Sequence, residues 1–218
     1  MKHVLALPLD EALTRTDTSA TTIEWAMAEL LYNLQTMERS QVELDEVVGR
    51  KTMVEESDTD RLPYLRVMMK EVLRLHPPVP LLLPHRADSR CEIAGFVIPK
   101  HSQVLVNVWA IGRDPAIWNE PSKFIPERFI GDDVVEYKGQ HFELIPFGAG
   151  RRMCAGFPLA TRMIHLVLAS LIHSFDWEPP KGVRADKVDM TDKSGMTLHK
   201  VVPLEANPTP RLTYEMYN

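Results

Sequence analysis

The stretch from Phe147 to Ala160, FGAGRRMCAGFPLA, constrains this chain more than any other. It sets one cysteine, Cys154, in a loop punctuated by Gly148, Gly150 and Gly156, with Arg151 and Arg152 just before it. Glycine at those points permits backbone angles and close approaches that a side chain would forbid. Pro158 suits the first turn of a helix, where its missing N–H would have no partner anyway. From Leu159 to Ile172 apolar residues occupy almost every face, which predicts a helix buried on all sides. Cys154 therefore precedes a helix N-terminus, where free N–H groups and the helix dipole favour thiolate over thiol. The two arginines push the same way, toward a sulfur suited to a soft metal.

Two rival readings meet that pattern. A lone cysteine beside an apolar helix is ordinarily a small buried hydrophobe, but that role needs neither turn residues nor two cations. Gly148-Ala149-Gly150 begins like a phosphate-binding G-x-G-x-x-G, yet Met153 holds the third glycine's place and G-x-x-x-x-G-K-[ST] is absent. The full pattern F-x-x-G-x-R-x-C-x-G, carried by Phe147, Gly150, Arg152, Cys154 and Gly156, resembles the haem-binding signature of the cytochrome P-450 family. The resemblance implies haem b as cofactor, with Cys154 as the axial thiolate on its iron and Arg152 on a propionate. Phe147, Gly150 and Gly156 complete the cofactor-binding loop. Such a thiolate pushes electron density toward the iron and favours O–O cleavage.

Composition sets bounds. The 218 residues suffice for one sizeable core or two small ones, and 44% apolar content marks a globular chain. A net charge of −5 without a basic run argues against nucleic-acid binding. Two well-separated cysteines make no disulfide framework, and Cys91 falls in an expected strand or turn. No secretory signal and no apolar run of membrane-spanning length is visible. Seventeen prolines against ten glycines predict rigid connections between short elements.

Helical spacing runs from Thr22 to Leu34, then from Met37 to Val48 with Gly49 as C-cap. The first of these helices has two possible starts. Thr21 and Glu24 fit a capping box, and Asp17, Thr18 and Ser19 are good cap residues. Alternatively, Thr16-Asp17-Thr18-Ser19 resembles the family's acid–alcohol segment on the helix crossing the oxygen side of the haem. That resemblance implies a proton-relay role for Asp17 and Thr18 as the catalytic pair. Thr14 and Arg15 stand where the family has small residues before this segment, and Pro8 would kink a helix extended upstream.

A further helix follows Leu62-Pro63-Tyr64 and stops at Pro77-Pro78. Glu71 and Arg74 lie three apart on it, ordinarily a surface pair worth about 0.2–0.5 kcal/mol. They match the family's E-x-x-R, which implies a structural trio with Arg128 of Pro126-Glu127-Arg128-Phe129. Val79 to Pro84 reads as an apolar, proline-bounded strand that the family places along the substrate pocket, with Val79 and Leu82 facing it. His85 stands where the family often has an arginine for a haem propionate; both His85 and Arg86 read equally well as solvated. Short strands are expected at Glu92 to Phe96 and Gln103 to Val108, and an exposed polar loop at 132–139. A hairpin is expected around Lys193-Ser194-Gly195, with Met196 and Thr197 at its tip near the substrate in this family.

The resemblance covers about Thr16 to Arg211, and its wording around Cys154 looks most like plant terpenoid hydroxylases such as geraniol hydroxylases. The expected fold is mainly α with small antiparallel β-sheets, the C-terminal half of the cytochrome P-450 fold over 16–218, preceded by an atypical segment at 1–15. The expected function is hydroxylation of a small apolar substrate with O2, using electrons from an NADPH-cytochrome reductase that docks near Arg151. By family the location is the cytosolic face of the endoplasmic reticulum membrane, although no membrane anchor is recognisable in this chain. Two alternatives stand beside it: an inactive truncated member with little or no haem binding, and a non-haem interaction module in which Cys154 is a core residue.

Overall fold

The computed structural model describes residues 7–131, 135–193 and 195–213, with side chains from Asp17 onward. Helix α1 runs from Leu7 to Tyr32 without a break, so the residues before Thr16 and those after share one helix. Asp17, Thr18 and Ser19 are interior to it and cap nothing. Pro8 and the residues that follow it are helical, and no break appears after it. The Thr21–Glu24 capping box is likewise not formed. Thr21 instead meets His199, and the Glu24 carboxylate accepts from the Leu204 N–H at 2.9 Å. Long-range partners overrode local cap preference.

Helix α2 (Leu34–Val47) ends as expected at Gly49, whose φ of 82° suits glycine and whose N–H reaches back to Leu44. Helix α3 (Pro63–Leu75) has Pro63 in its first turn. Two of its orphan N–H groups, from Tyr64 and Leu65, donate to the Glu43 carboxylate of α2 at 2.6 and 2.9 Å. One helix thus caps the next.

Residues 79–84 are not a strand. Prolines 77, 78, 80 and 84 deny a ladder its donors, and the segment turns at Leu82, whose φ is 51°. Pairing begins at β1 (His85–Arg86). Strands β2 (Cys91–Ile93) and β3 (Phe96–Ile98) form a tight hairpin around Ala94-Gly95, both with positive φ. Strand β4 (Gln103–Val104) is shorter than expected and returns to pair with β1. The four-residue helix α4 (Val108–Ile111) is capped by Asn107, whose side chain accepts from the Ala110 N–H.

Of the predicted polar loop, residues 132–134 lie outside the described residues, and the remainder is not all exposed. Tyr137 is buried against Phe147 and Phe157, and Glu136 pairs at 2.6 Å with the buried Lys70. An aromatic anchor holds the loop down. Helix α5 (Phe157–Ser174) follows the cysteine loop, with Pro158 in its first turn. Strand β5 (Phe175–Glu178) pairs with the last strand, β8 (Asn207–Pro210), and between them β6 (Asp192–Lys193) and β7 (His199–Lys200) make the expected hairpin. Its Ser194 lies outside the described residues.

The core forms where α1, α2, α3 and α5 meet, from Trp25 and Leu30, Leu44, Leu65, Met68 and Val72, and Ile164, Leu168 and Ile172. Helix α5 is buried on one side only: Leu159 and Met163 are about half exposed, and no described element covers them. It is also the one described helix long and apolar enough to cross a bilayer.

His165 of α5 has a buried Nε2 with no partner, and burial, with Arg66 nearby, pushes its pKa down to about 4. The folded imidazole is therefore neutral where the unfolded chain, at about 6.5, takes up a proton. Stability should fall as pH drops from about 6.5 toward about 4, and His165→Phe should flatten that loss in urea midpoints measured across the range. An unchanged slope in the variant would show that His165 is not held neutral.

Candidate functional site

The cysteine loop begins at Phe147, whose carbonyl accepts from the Cys154 N–H at 2.9 Å. That bond closes the loop. Between its ends the chain needs left-handed turns at Gly148 (φ 74°) and Gly150 (φ 65°), and a 3-10 turn at Gly150–Arg152 follows. Phe147 is fixed by ring contacts to Phe157 at 5.1 Å and Tyr137 at 6.0 Å, so the loop rests on an aromatic wedge. Gly156 sits at the N-cap of α5, and the Phe157 N–H reaches the Cys154 carbonyl. Cys154 and Arg152 are both exposed, and a Cβ on Gly150 would project into open space.

A single thiol donor suits a metal whose other ligands come from a cofactor. One accessible thiol is offered from a closed loop, beside a cation fit for a carboxylate. Among the described residues, no three His, Cys, Asp or Glu gather to hold a bare ion. An exposed thiol in a closed loop, with exposed Arg152 nearby in sequence, is compatible with haem: Cys154 would hold the iron, and Arg152 a propionate.

A buried ionic centre lies where α3 meets the Pro126–Phe129 segment. Glu71 and Arg74 on α3 form a two-pronged pair, both bonds 2.7 Å, with side chains wholly out of solvent. Glu71 also accepts from Arg128 at 3.1 Å and from the Ile125 N–H at 2.7 Å. The remaining guanidinium hydrogens of Arg74 go to the carbonyls of Gly112, Pro121 (2.7 Å) and Lys123 (3.0 Å). A Cβ on Gly112 would strike the Arg74 carbonyl, so this position requires glycine.

The oxygen- and substrate-side candidates are drawn together by the β6–β7 hairpin. Asp17 accepts from the Thr197 hydroxyl at 3.0 Å. The Leu198 N–H donates to Pro78, next to Val79, and the Leu82 N–H turns back to the Val79 carbonyl. Leu82 in turn faces the cysteine loop, its Cδ1 3.8 Å from where a Cβ on Gly148 would stand. A continuous path of contacts thus links Asp17, Thr197, Val79 and Leu82 to the glycines before Cys154. Met196 is exposed at the hairpin tip. Thr18 lies beside Asp17 on α1, and its carbonyl accepts from the Thr22 hydroxyl. His85 is exposed on β1, its described pairing being with Val104 of β4, and stands outside that path.

Several participants escaped sequence reading. Trp25 stacks on His76 at 4.0 Å and donates its indole N–H to Leu198, while Lys200 covers its ring at 4.6 Å. His76 meets Glu29 at 2.7 Å, yet burial outweighs that partner and lowers its pKa. Helical spacing marked none of these, because their partners lie on other elements. The i, i+4, i+8 series Asp17, Thr21, Trp25, all on one face of α1, was the available signal.

The family model for Cytochrome P-450 matches residues 5–203, and the chain belongs to that family. It is 54% identical over 211 residues to cytochrome P-450 76C1 of Arabidopsis thaliana, covering 97% of this chain and 40% of the relative. It is also 52% identical over 208 residues to geraniol 8-hydroxylase of Swertia mussotii, covering 95% and 42%. A zebra fish cytochrome P-450 solved with abiraterone superposes with a TM-score of 0.79 at 36% identity, over 89% of this chain and 44% of the other. The chain thus spans about two fifths of the length of the curated relatives it matches, and its mainly helical fold, with four small antiparallel sheets among the described residues, is that of a partial cytochrome P-450.

Replacing Glu71 with Ala would leave two guanidiniums facing each other in a dry site. Glu71→Ala should cost about 3–5 kcal/mol in equilibrium unfolding. Arg128→Ala should cost less, because Arg128 is partly exposed and shares Glu71 with Arg74. Equal losses would show that the centre does not rest on the Glu71–Arg74 pair.

Proposed function

We propose that this chain, over residues 16–218, supplies the haem-thiolate half of a monooxygenase that hydroxylates a small apolar substrate of the terpenoid class. The closed loop that offers Cys154 at the head of α5 is the observation that carries this reading. Likeness to geraniol 8-hydroxylase supports the substrate class. Haem b, held by Cys154, would supply dioxygen activation driven by electrons from an NADPH-cytochrome reductase at the endoplasmic reticulum membrane.

The chain's own residues have separable tasks. Phe147, pinned by Phe157 and Tyr137, keeps the loop from collapsing when the sulfur is loaded. Gly150 leaves the loop face free of a side chain, Gly156 lets the chain enter α5, and the Arg152 fork can take a propionate in two parallel bonds. His85 serves the other propionate more weakly, as a single donor. Asp17 Oδ2 and the Thr18 hydroxyl hold and hand on protons at the oxygen side. Val79, Leu82 and Met196 present apolar surface to the substrate, and Thr197 adds one hydroxyl. Glu71, Arg74 and Arg128 keep the junction of α3 with the Pro126–Phe129 segment rigid.

Reduced protein reconstituted with haemin should give the carbon monoxide difference band of a thiolate-ligated haem, and Cys154→Ser should abolish it. Haem uptake without that band in the unaltered protein, or no uptake at all, would sink the proposal. So would a band that survives the substitution.

A further inference from the structure

Three residues spaced along one face of α1 grip the β6–β7 hairpin. Asp17 takes the Thr197 hydroxyl, Thr21 meets His199 Nδ1 at 3.2 Å, and Trp25 donates to the Leu198 carbonyl at 2.8 Å. Within this grip the hydrogens run in one direction. Thr197 has a single hydroxyl proton, and it is donated to Asp17 Oδ2. His199 Nε2, 2.5 Å from the same oxygen, must then be the donor. This holds for the neutral and the protonated imidazole alike, since only Nδ1 toward Thr21 changes its role.

We propose that His199 is a positioning residue: its Nε2–H orients the Thr197 hydroxyl onto Asp17 and thereby fixes the hairpin tip, Met196 and Thr197, against the helix bearing the acid–alcohol pair. The assignment of the tip to the substrate side rests on the function proposed above; the grip itself does not. Without the imidazole donor, Thr197 is free to turn its proton elsewhere and Asp17 loses a fixed partner. The tip, with Met196 largely exposed, then keeps the Leu198 bonds and the β6–β7 pairing but loses its fixed tie to α1 at Thr197.

The test uses side chains that each keep one end of the imidazole. His199→Gln places an amide N–H where Nε2 stands, whereas His199→Asn reaches only to the Nδ1 position, and His199→Ala removes both. Hydrogen exchange is read at the Leu198 amide, which is bonded to Pro78 beside the tip. Exchange should quicken about tenfold in the Ala and Asn variants and stay near the unaltered rate in Gln, with α3 and α5 amides unchanged. Gln exchanging as fast as Ala, or Ala exchanging like the unaltered chain, would overturn the proposal. In the haem-loaded protein, geraniol is then titrated by its shift of the haem absorption band. Weaker binding in Ala and Asn but not Gln supports the tip as a substrate-facing element. A normal titration alongside quickened exchange leaves the positioning role standing and refutes the substrate-side assignment alone.

Discussion

A single carboxylate without access to water organises this molecule. Glu71 accepts from two guanidiniums and one backbone N–H, and the guanidinium it holds most tightly spends its other hydrogens on three loop carbonyls. Those carbonyls belong to segments with little regular structure, running from Gly112 to Lys123. Helices pack by burying apolar faces, but loops rich in proline have few such faces to bury. Here charge-assisted hydrogen bonds take over, and helix α3 becomes the post to which the loop region is tied. A burial that would be costly for an isolated ion is tolerable because nearly every lone pair and proton is used.

The two halves of the candidate site are built differently. On the sulfur side, the loop is closed by its own backbone and wedged by neighbouring rings, so its shape follows from residues close in sequence. Around Asp17, the arrangement depends on a hairpin far along the chain meeting α1. Local chemistry determines the first. Long-range packing determines the second.

That division explains what the sequence disclosed. The cysteine loop was legible because glycine, proline and arginine act on their immediate surroundings. So was Glu71–Arg74, a spacing that any helix brings together. Of the two readings open for the segment before Thr22, capping fails for a physical reason: Asp17, Thr18 and Thr21 are residue types that cap helices when their side chains have no other partner. Asp17 and Thr21 have partners here, on β7 and the segment before it, and the helix runs on. Tyr137 reads as part of a polar loop because its neighbours are polar, although its ring packs against Phe147 and Phe157. Apolar residues all round α5 predicted full burial, yet a described neighbour covers only one of its faces. The strand expected at 79–84 failed on its prolines, which were visible but were read as its borders.

Gly112 and Arg74 hold each other twice: the arginine's head binds the glycine's carbonyl, while the arginine's own carbonyl occupies the space a larger residue would need. Even the smallest replacement, alanine, would therefore push on the main chain of α3 next to its ionic centre. Variation among natural versions of this chain should flow freely around that point, through exposed Trp109 and the surface beyond, and halt at one methyl group.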